Sequence, residues 1–227
     1  MASENSKLVA FNDKTGAIYT LRRGDKEFLL HGGARDLFML RFRNATGKPV
    51  FASSSKAVSV EHTTKTDDAG TVDKLEFRDI PVSPYFPQTV SATVTVRCPA
   101  GTDMSYWRIS VDFQASPLLE YLECVEFPII LLNNDLVGAG GSSQLFWPLN
   151  EGCLVEDADE RAIHGFAYSP MEYPTGGWVG LYPGPVQMQF MAMTNPEGSL
   201  YMAAHDPDGH PKEIEYAPDE SGIRIIY

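Results

Sequence analysis

The residues of this chain best suited to holding a small polar ligand lie in its second half. The run Phe146-Trp147-Pro148-Leu149-Asn150-Glu151-Gly152-Cys153 joins a bulky aromatic, a rigid proline and a turn that carries both an amide and a carboxylate. A sugar has an apolar C–H face ringed by hydroxyls, so Trp147 can stack its ring while Asn150 and Glu151 take its polar edge. The competing expectation is a buried Trp147 that closes the end of a sandwich and leaves Glu151 on the surface, since tryptophan is highly buried on average.

A second dense stretch runs from Tyr182-Pro183-Gly184 through Gln187 to Met193 and on from Tyr201 to Lys212. On a strand, Gln187, Gln189 and Met191 share one face and Met188, Phe190 and Ala192 the other, which sets two amides side by side. His205, Asp206, Asp208, His210 and Lys212 mix imidazole with carboxylate, as metal sites do. Asp206-Pro207-Asp208-Gly209 is also an ordinary turn whose acidic side chains hydrogen-bond their own backbone, and it lacks the ligand register of a helical calcium loop. The expectation is a turn, with no metal and no cofactor assigned. The candidate carbohydrate-binding or domain-interface surface is then Trp147, Asn150 and Glu151, with Trp178, Tyr182, His205, Asp206 and Lys212 as neighbours.

No catalytic residue is assigned. Glu120, Glu123 and Glu126 would align on a helix, but on a strand they fall on different faces. The sequence holds no Gly-x-Ser-x-Gly, no His-Glu-x-x-His and no phosphate-binding glycine loop. Ala52-Ser53-Ser54-Ser55 and the glycine-rich stretch from Gly138 to Ser143 read as flexible loops. A mutarotase-type enzyme is a rival reading: it would need a histidine acid, His164 or His205, and a glutamate base, Glu151 or Glu172, within reach of one sugar.

The elements that must position these residues are short strands. Leu8 to Phe11, the turn Asn12-Asp13-Lys14-Thr15-Gly16 and Ala17 to Leu21 form an opening hairpin. Thr89 to Val96 alternates strictly, with Val90, Ala92, Val94 and Val96 on one face and threonine or serine on the other. Trp107, Ile109, Val111 and Phe113 repeat that period across a Pro99–Asp103 turn, predicting an antiparallel pair. Val58 to Ile80 reads as strand, Thr66–Gly70 turn and strand, and residues 81 to 87 as a proline-punctuated connection. Only residues 117 to 122 could start a helix, and the run from Cys124 to Phe127 favours a strand there. Later strands are expected at Arg161–Ala167, Gly177–Leu181, Val186–Met193, Ser199–Ala204, Glu213–Tyr216 and Gly222–Ile226. About fifteen or more strands suit two large packed antiparallel sheets, an all-β sandwich in a single domain over residues 1–227.

Composition agrees with a globular chain: 227 residues, 43% hydrophobic and 21% charged, with 16 prolines and 19 glycines to make turns. The formal charge of −12 repels phosphate backbones, and no Lys/Arg cluster offsets it, which argues against nucleic acid as a partner. No apolar run reaches the roughly 18 residues that cross a bilayer, so no membrane partner is expected. The chain is expected to be cytoplasmic, or exported with its signal removed. Cys98, Cys124 and Cys153 are spaced too widely for a zinc knuckle and are expected as buried thiols. The strand-like run ending on Tyr227 and the Met1-Ala2-Ser3 leader read as a piece of a larger protein.

Asn12-Asp13-Lys14-Thr15-Gly16, Pro148-Leu149-Asn150-Glu151-Gly152, and the segments from Tyr182-Pro183-Gly184 through Met188-Gln189-Phe190-Met191 to His205-Asp206-Pro207 and Lys212 resemble the amino-terminal region of a family of large bacterial glycoside-hydrolase-like proteins, formerly grouped as uncharacterised. In that family a galactose-mutarotase-like β-supersandwich precedes a catalytic (β/α)8 barrel. The resemblance covers most of the chain in order, though each motif is short. It implies a non-catalytic accessory domain whose partners are the carboxy-terminal barrel of the same parent chain and carbohydrate. The alternatives are a standalone carbohydrate-binding module, and a mutarotase-like epimerase or polysaccharide-lyase-related enzyme.

Overall fold

The computed structural model describes residues 8–30, 34–85, 87–133, 144–148, 151–156, 178–184, 186–195, 198–218 and 223–226. The fold is all-β, with eighteen strands among the described residues arranged in several antiparallel sheets. The chain divides into two compact units, residues 1–129 and 130–227. No helix among the described residues is long and apolar enough to cross a membrane.

In the first unit, β1 (Val9–Phe11), β2 (Ile18–Arg23) and β3 (Lys26–Glu27) form one sheet. The expected opening hairpin is present: Asn12 Oδ1 accepts the N–H groups of Lys14 and Thr15, and Gly16 follows with φ of +67°. A Cβ at Gly16 would lie 2.4 Å from Phe77 Cζ, so both the backbone conformation and the packing require glycine. Strands β4 (Met39–Arg43), β5 (Pro49–Ser53) and β10 (Tyr121–Glu126) make a second sheet in the order β10-β4-β5. A third, in the order β6-β7-β8-β9, contains β6 (Ser59–Asp67), β7 (Gly70–Pro81), β8 (Thr89–Pro99) and β9 (Tyr106–Asp112).

Alternation dictates how this third sheet packs. Leu75, Phe77, Val90, Val94 and Val96 are buried on one face, while Lys74, Arg78, Arg97 and Arg108 are exposed on the other. Phe38 meets Phe77 edge-on at 4.9 Å, and Phe11 meets Trp107 at 5.7 Å, so residues just before β4 and in β1 cover the apolar face. Each such side chain contributes about 1.5–3 kcal/mol on burial.

Two local features depart from the sequence expectations. The serine-rich stretch read as a flexible loop closes β5 and a short 3-10 turn, Ser54–Lys56, around Asp36. Ser54 is buried and its Oγ accepts the Leu37 N–H at 2.8 Å. Burial pushes the Asp36 carboxyl up, but the Ser53 hydroxyl and the Ser55 N–H outweigh it and hold the group below its ordinary value. The helix considered at residues 117–122 is instead a bend leading into β10, where a register shift sets Glu123 beside Cys124 opposite β4. This bulge lets the Glu123 carboxylate reach both Arg41 Nε at 3.0 Å and Arg43 Nη2 at 2.7 Å.

In the second unit, β11 (Ile130–Leu132), β18 (Ile223–Ile226), β17 (Lys212–Pro218) and β14 (Trp178–Tyr182) form one sheet in that order. Strands β13 (Cys153–Glu156), β12 (Gln144–Trp147), β15 (Phe190–Asn195) and β16 (Gly198–Ala203) form the other, also in that order. The expected strand at Arg161–Ala167 and the glycine-rich loop at 138–143 lie outside the described residues. The sheets number five among the described residues, of three or four strands each. Prolines close several ladders, at the ends of β7 and β8 and just after β10, because proline has no N–H to donate.

The inner face of the β6–β9 sheet also carries one polar group of consequence. Asp73 is 2% exposed; its Oδ1 faces His62 Nε2 at 2.9 Å and accepts from Thr64 Oγ1 at 2.5 Å. His62 Nδ1 lies 2.6 Å from Asp13 in the β1–β2 turn, so one ring ties the hairpin to the sheet. The two ends of this clasp differ, since the Asp13 side chain is 85% exposed. His62→Ala strips the imidazole from a buried carboxylate and is expected to cost about 2–4 kcal/mol. Asp13→Asn removes an exposed partner and is expected to cost under about 1 kcal/mol. Urea unfolding of both variants measures the asymmetry, and equal losses would contradict it.

Candidate functional site

The polar residues of the second unit converge where the β16–β17 connection turns. Asp206 organises that turn: its Oδ1 accepts the Asp208 N–H at 3.0 Å and its Oδ2 the His210 N–H at 2.8 Å. Gly209, with φ of +68°, completes it, and its N–H reaches Asp206 O at 3.3 Å. The turn delivers Lys212 to the start of β17, opposite Tyr182 at the end of β14.

Lys212 Nζ then lies 2.5 Å from Asp206 Oδ2, 2.7 Å from His210 O and 5.3 Å from the centroid of the Tyr182 ring. The last contact is a cation–π arrangement. Gln189 Nε2 donates to Tyr182 OH at 3.3 Å and to Asp206 O at 3.0 Å, joining the end of β15 to the same cluster. The Lys212 and Asp206 side chains are 14% and 21% exposed. The Lys212 ammonium, helped by the His210 and Asp208 N–H groups and opposed by partial burial, holds the Asp206 carboxyl far below the usual carboxylate range.

Of the residues expected from sequence to form one surface, Lys212 thus lies against both Asp206 and Tyr182, and Gln189 bridges those two. His205 is exposed at the head of the turn, and Glu151 is exposed in the β12–β13 turn. Trp147 is 4% exposed, and its Cζ2 would lie 3.3 Å from a Cβ at Gly180. It packs as a core residue, the competing expectation for this position, and presents no open ring face. Trp178 opens β14 opposite Tyr216. Asn150, and with it His164 and Glu172 of the mutarotase reading, lies outside the described residues.

Gln189 is the one of the two expected amides that reaches the cluster; Gln187 is exposed outside β15, which begins at Phe190 rather than Val186. Asp206, Asp208 and His210 each place a potential ligand atom within 4.8 Å of the others. The Asp206 oxygens already accept from Lys212 and two backbone N–H groups, and these bonds form the expected turn.

Chemically, this arrangement suits recognition more than proton transfer. A carboxylate held so firmly ionised is a poor base near neutral pH, whereas an ammonium, a phenol, an amide and a carboxylate in fixed positions offer donors and acceptors to a polyhydroxylated ligand.

The lowered carboxyl also has a consequence for stability. Because the folded-state group titrates below its unfolded counterpart, its contribution is fully present above the ordinary aspartate range, near pH 4, and is lost as pH falls through the folded value. Thermal melts of wild-type and Asp206→Asn protein at pH 7 and pH 3 are expected to differ most at pH 7 and to converge as pH falls; a gap that widens on acidification would contradict this. No family model matches the chain, and no curated protein matches it.

Proposed function

We propose that this chain is a non-catalytic accessory domain of a carbohydrate-active enzyme, built as a galactose-mutarotase-like β-supersandwich that packs against a (β/α)8 glycosidase barrel. In this reading the Tyr182–Asp206–Lys212 cluster stands at the rim of the barrel's sugar pocket. The observation that carries it is the state of Asp206: pinned by Lys212 and two N–H groups, it positions its neighbours and is poorly placed to move protons. The nucleophile and acid then belong to the barrel, while Lys212, Tyr182 and Gln189 supply ordered polar contacts. Carbohydrate is the favoured ligand because the cluster combines a phenol ring with hydrogen-bonding groups in a partly enclosed setting.

Two measurements test the proposal. The source gene read beyond the codon for Tyr227 is expected to continue into a barrel, and in that longer protein Lys212→Met is expected to raise KM about tenfold with kcat within about twofold. A stop codon directly after Tyr227 would overturn the accessory role. So would turnover of aryl glycosides by the purified 227-residue chain that a single carboxylate change in it abolishes.

A further inference from the structure

The β13-β12-β15-β16 sheet buries one face, where Leu145, Trp147, Val155, Met191 and Met193 are all core. Its other face carries a row across four strands: Leu154 pairs with Phe146, Phe146 with Ala192, and Ala192 with Tyr201. Leu154 is 62% exposed and Tyr201 55%. Tyr201 is braced from the side, by a neighbour on the same face. The Phe190 ring sits 5.4 Å from it, and Phe190 stacks on Phe146 at 5.1 Å with 7° between the planes. Phe146 closes in turn on Gly152, where φ is +97° and a Cβ would meet Phe146 Cζ at 2.6 Å.

A polar row lies beside the apolar one. Glu156, Gln144, Thr194 and Ser199 follow one another across the same four strands, with Thr194 Oγ1 and Ser199 Oγ 2.8 Å apart. Rows on one face of a sheet are about 7 Å apart. Ala192, the small member of the apolar row, stands between Phe146 and Tyr201.

We infer that this face is a carbohydrate-stacking site, with Tyr201 as its ring platform. A pyranose laid against Tyr201 and over Ala192 places its C–H face on apolar surface and its hydroxyls toward Thr194, Ser199 and Gln144. A ring fixed by Phe190 and Phe146 loses little freedom when a ligand arrives. Size favours a sugar over a folded protein. Leu154 to Tyr201 spans three strand spacings, about 14 Å, and with the Phe190–Ala203 row beside it the apolar strip is at most about 14 Å wide. That is on the order of 200 Å² of apolar footprint, against about 800 Å² that each partner buries in a stable protein interface. The site needs neither a barrel nor the Asp206 cluster, so it stands or falls separately from the accessory role.

The test is affinity electrophoresis of the 227-residue chain through native gels cast with mixed-linkage β-glucan, xylan or galactomannan, and through a plain gel. Wild-type protein is expected to be retarded by at least one polysaccharide. Tyr201→Ala is expected to weaken that binding about tenfold, and Tyr201→Phe, which keeps the ring, to stay within about twofold. Equal mobility in all gels, or equal retardation of wild-type and Tyr201→Ala protein, would overturn the inference. A dimer in sedimentation that Tyr201→Ala dissociates would overturn it as well, by making the face a contact between copies of the chain.

Discussion

Side chains on a β-strand alternate between faces, so fixing one cross-strand pair fixes the face of every residue on both strands. The pairing of Phe146 with Ala192, and of Ala192 with Tyr201, therefore decides much of the second unit. It sends Leu145 and Trp147 inward with Met191 and Met193, and it sends Phe146 outward with Phe190 and Tyr201. A slip of one residue would exchange the two sets, placing a phenylalanine in the core and an indole in solvent. Gly152 and Gly180 fit the observed register. The first admits Phe146 on the outer face, where a Cβ would meet its ring at 2.6 Å, and the second lies against Trp147 on the inner one, where a Cβ would meet Val186 at 2.2 Å and Trp147 at 3.3 Å.

Polar groups in both units are held by the same economy of partners. His62 faces a buried and an exposed carboxylate at once, and Glu123 gathers two arginines from β4. Asp206 takes an ammonium and two backbone N–H groups. Such groups define geometry as well as neutralise charge, because a carboxylate with several directional donors has few alternative positions. At Asp206 the outcome is a fixed relation among the ends of β14, β15 and β17, a setting suited to binding and unsuited to a proton shuttle.

Much of the fold was legible in residue order. The hairpin around Asn12–Gly16, the β6–β7 and β8–β9 pairs and their inward valines follow from turn residues and a strict period of two. What was not legible depends on register. Phe146 and Trp147 are adjacent aromatics, and nothing local says which of them points inward. The bulge at Glu123 inserts a residue that simple alternation does not anticipate. Tyr182, Asp206 and Lys212 were legible as candidates from their types, but the role of Gln189 required the β15–β16 pairing and the Ala204 N–H to Gln189 O bond at 2.8 Å. The serines after Ala52 looked like a loop because their acceptor and donor, Asp36 and the Leu37 N–H, lie before β4, on the far side of the intervening β4–β5 hairpin.

The register of β12 is the claim on which the outward aromatic face depends, and the fluorescence of Trp147 reports it directly. With Trp107 and Trp178 replaced by phenylalanine, the remaining one of the three tryptophans is the only indole emitter. Iodide quenching at the low level of a buried indole, with blue-shifted emission, is the predicted result. Quenching close to that of free indole in water would contradict the register, and with it the assignment of Phe146, Phe190 and Tyr201 to the open face.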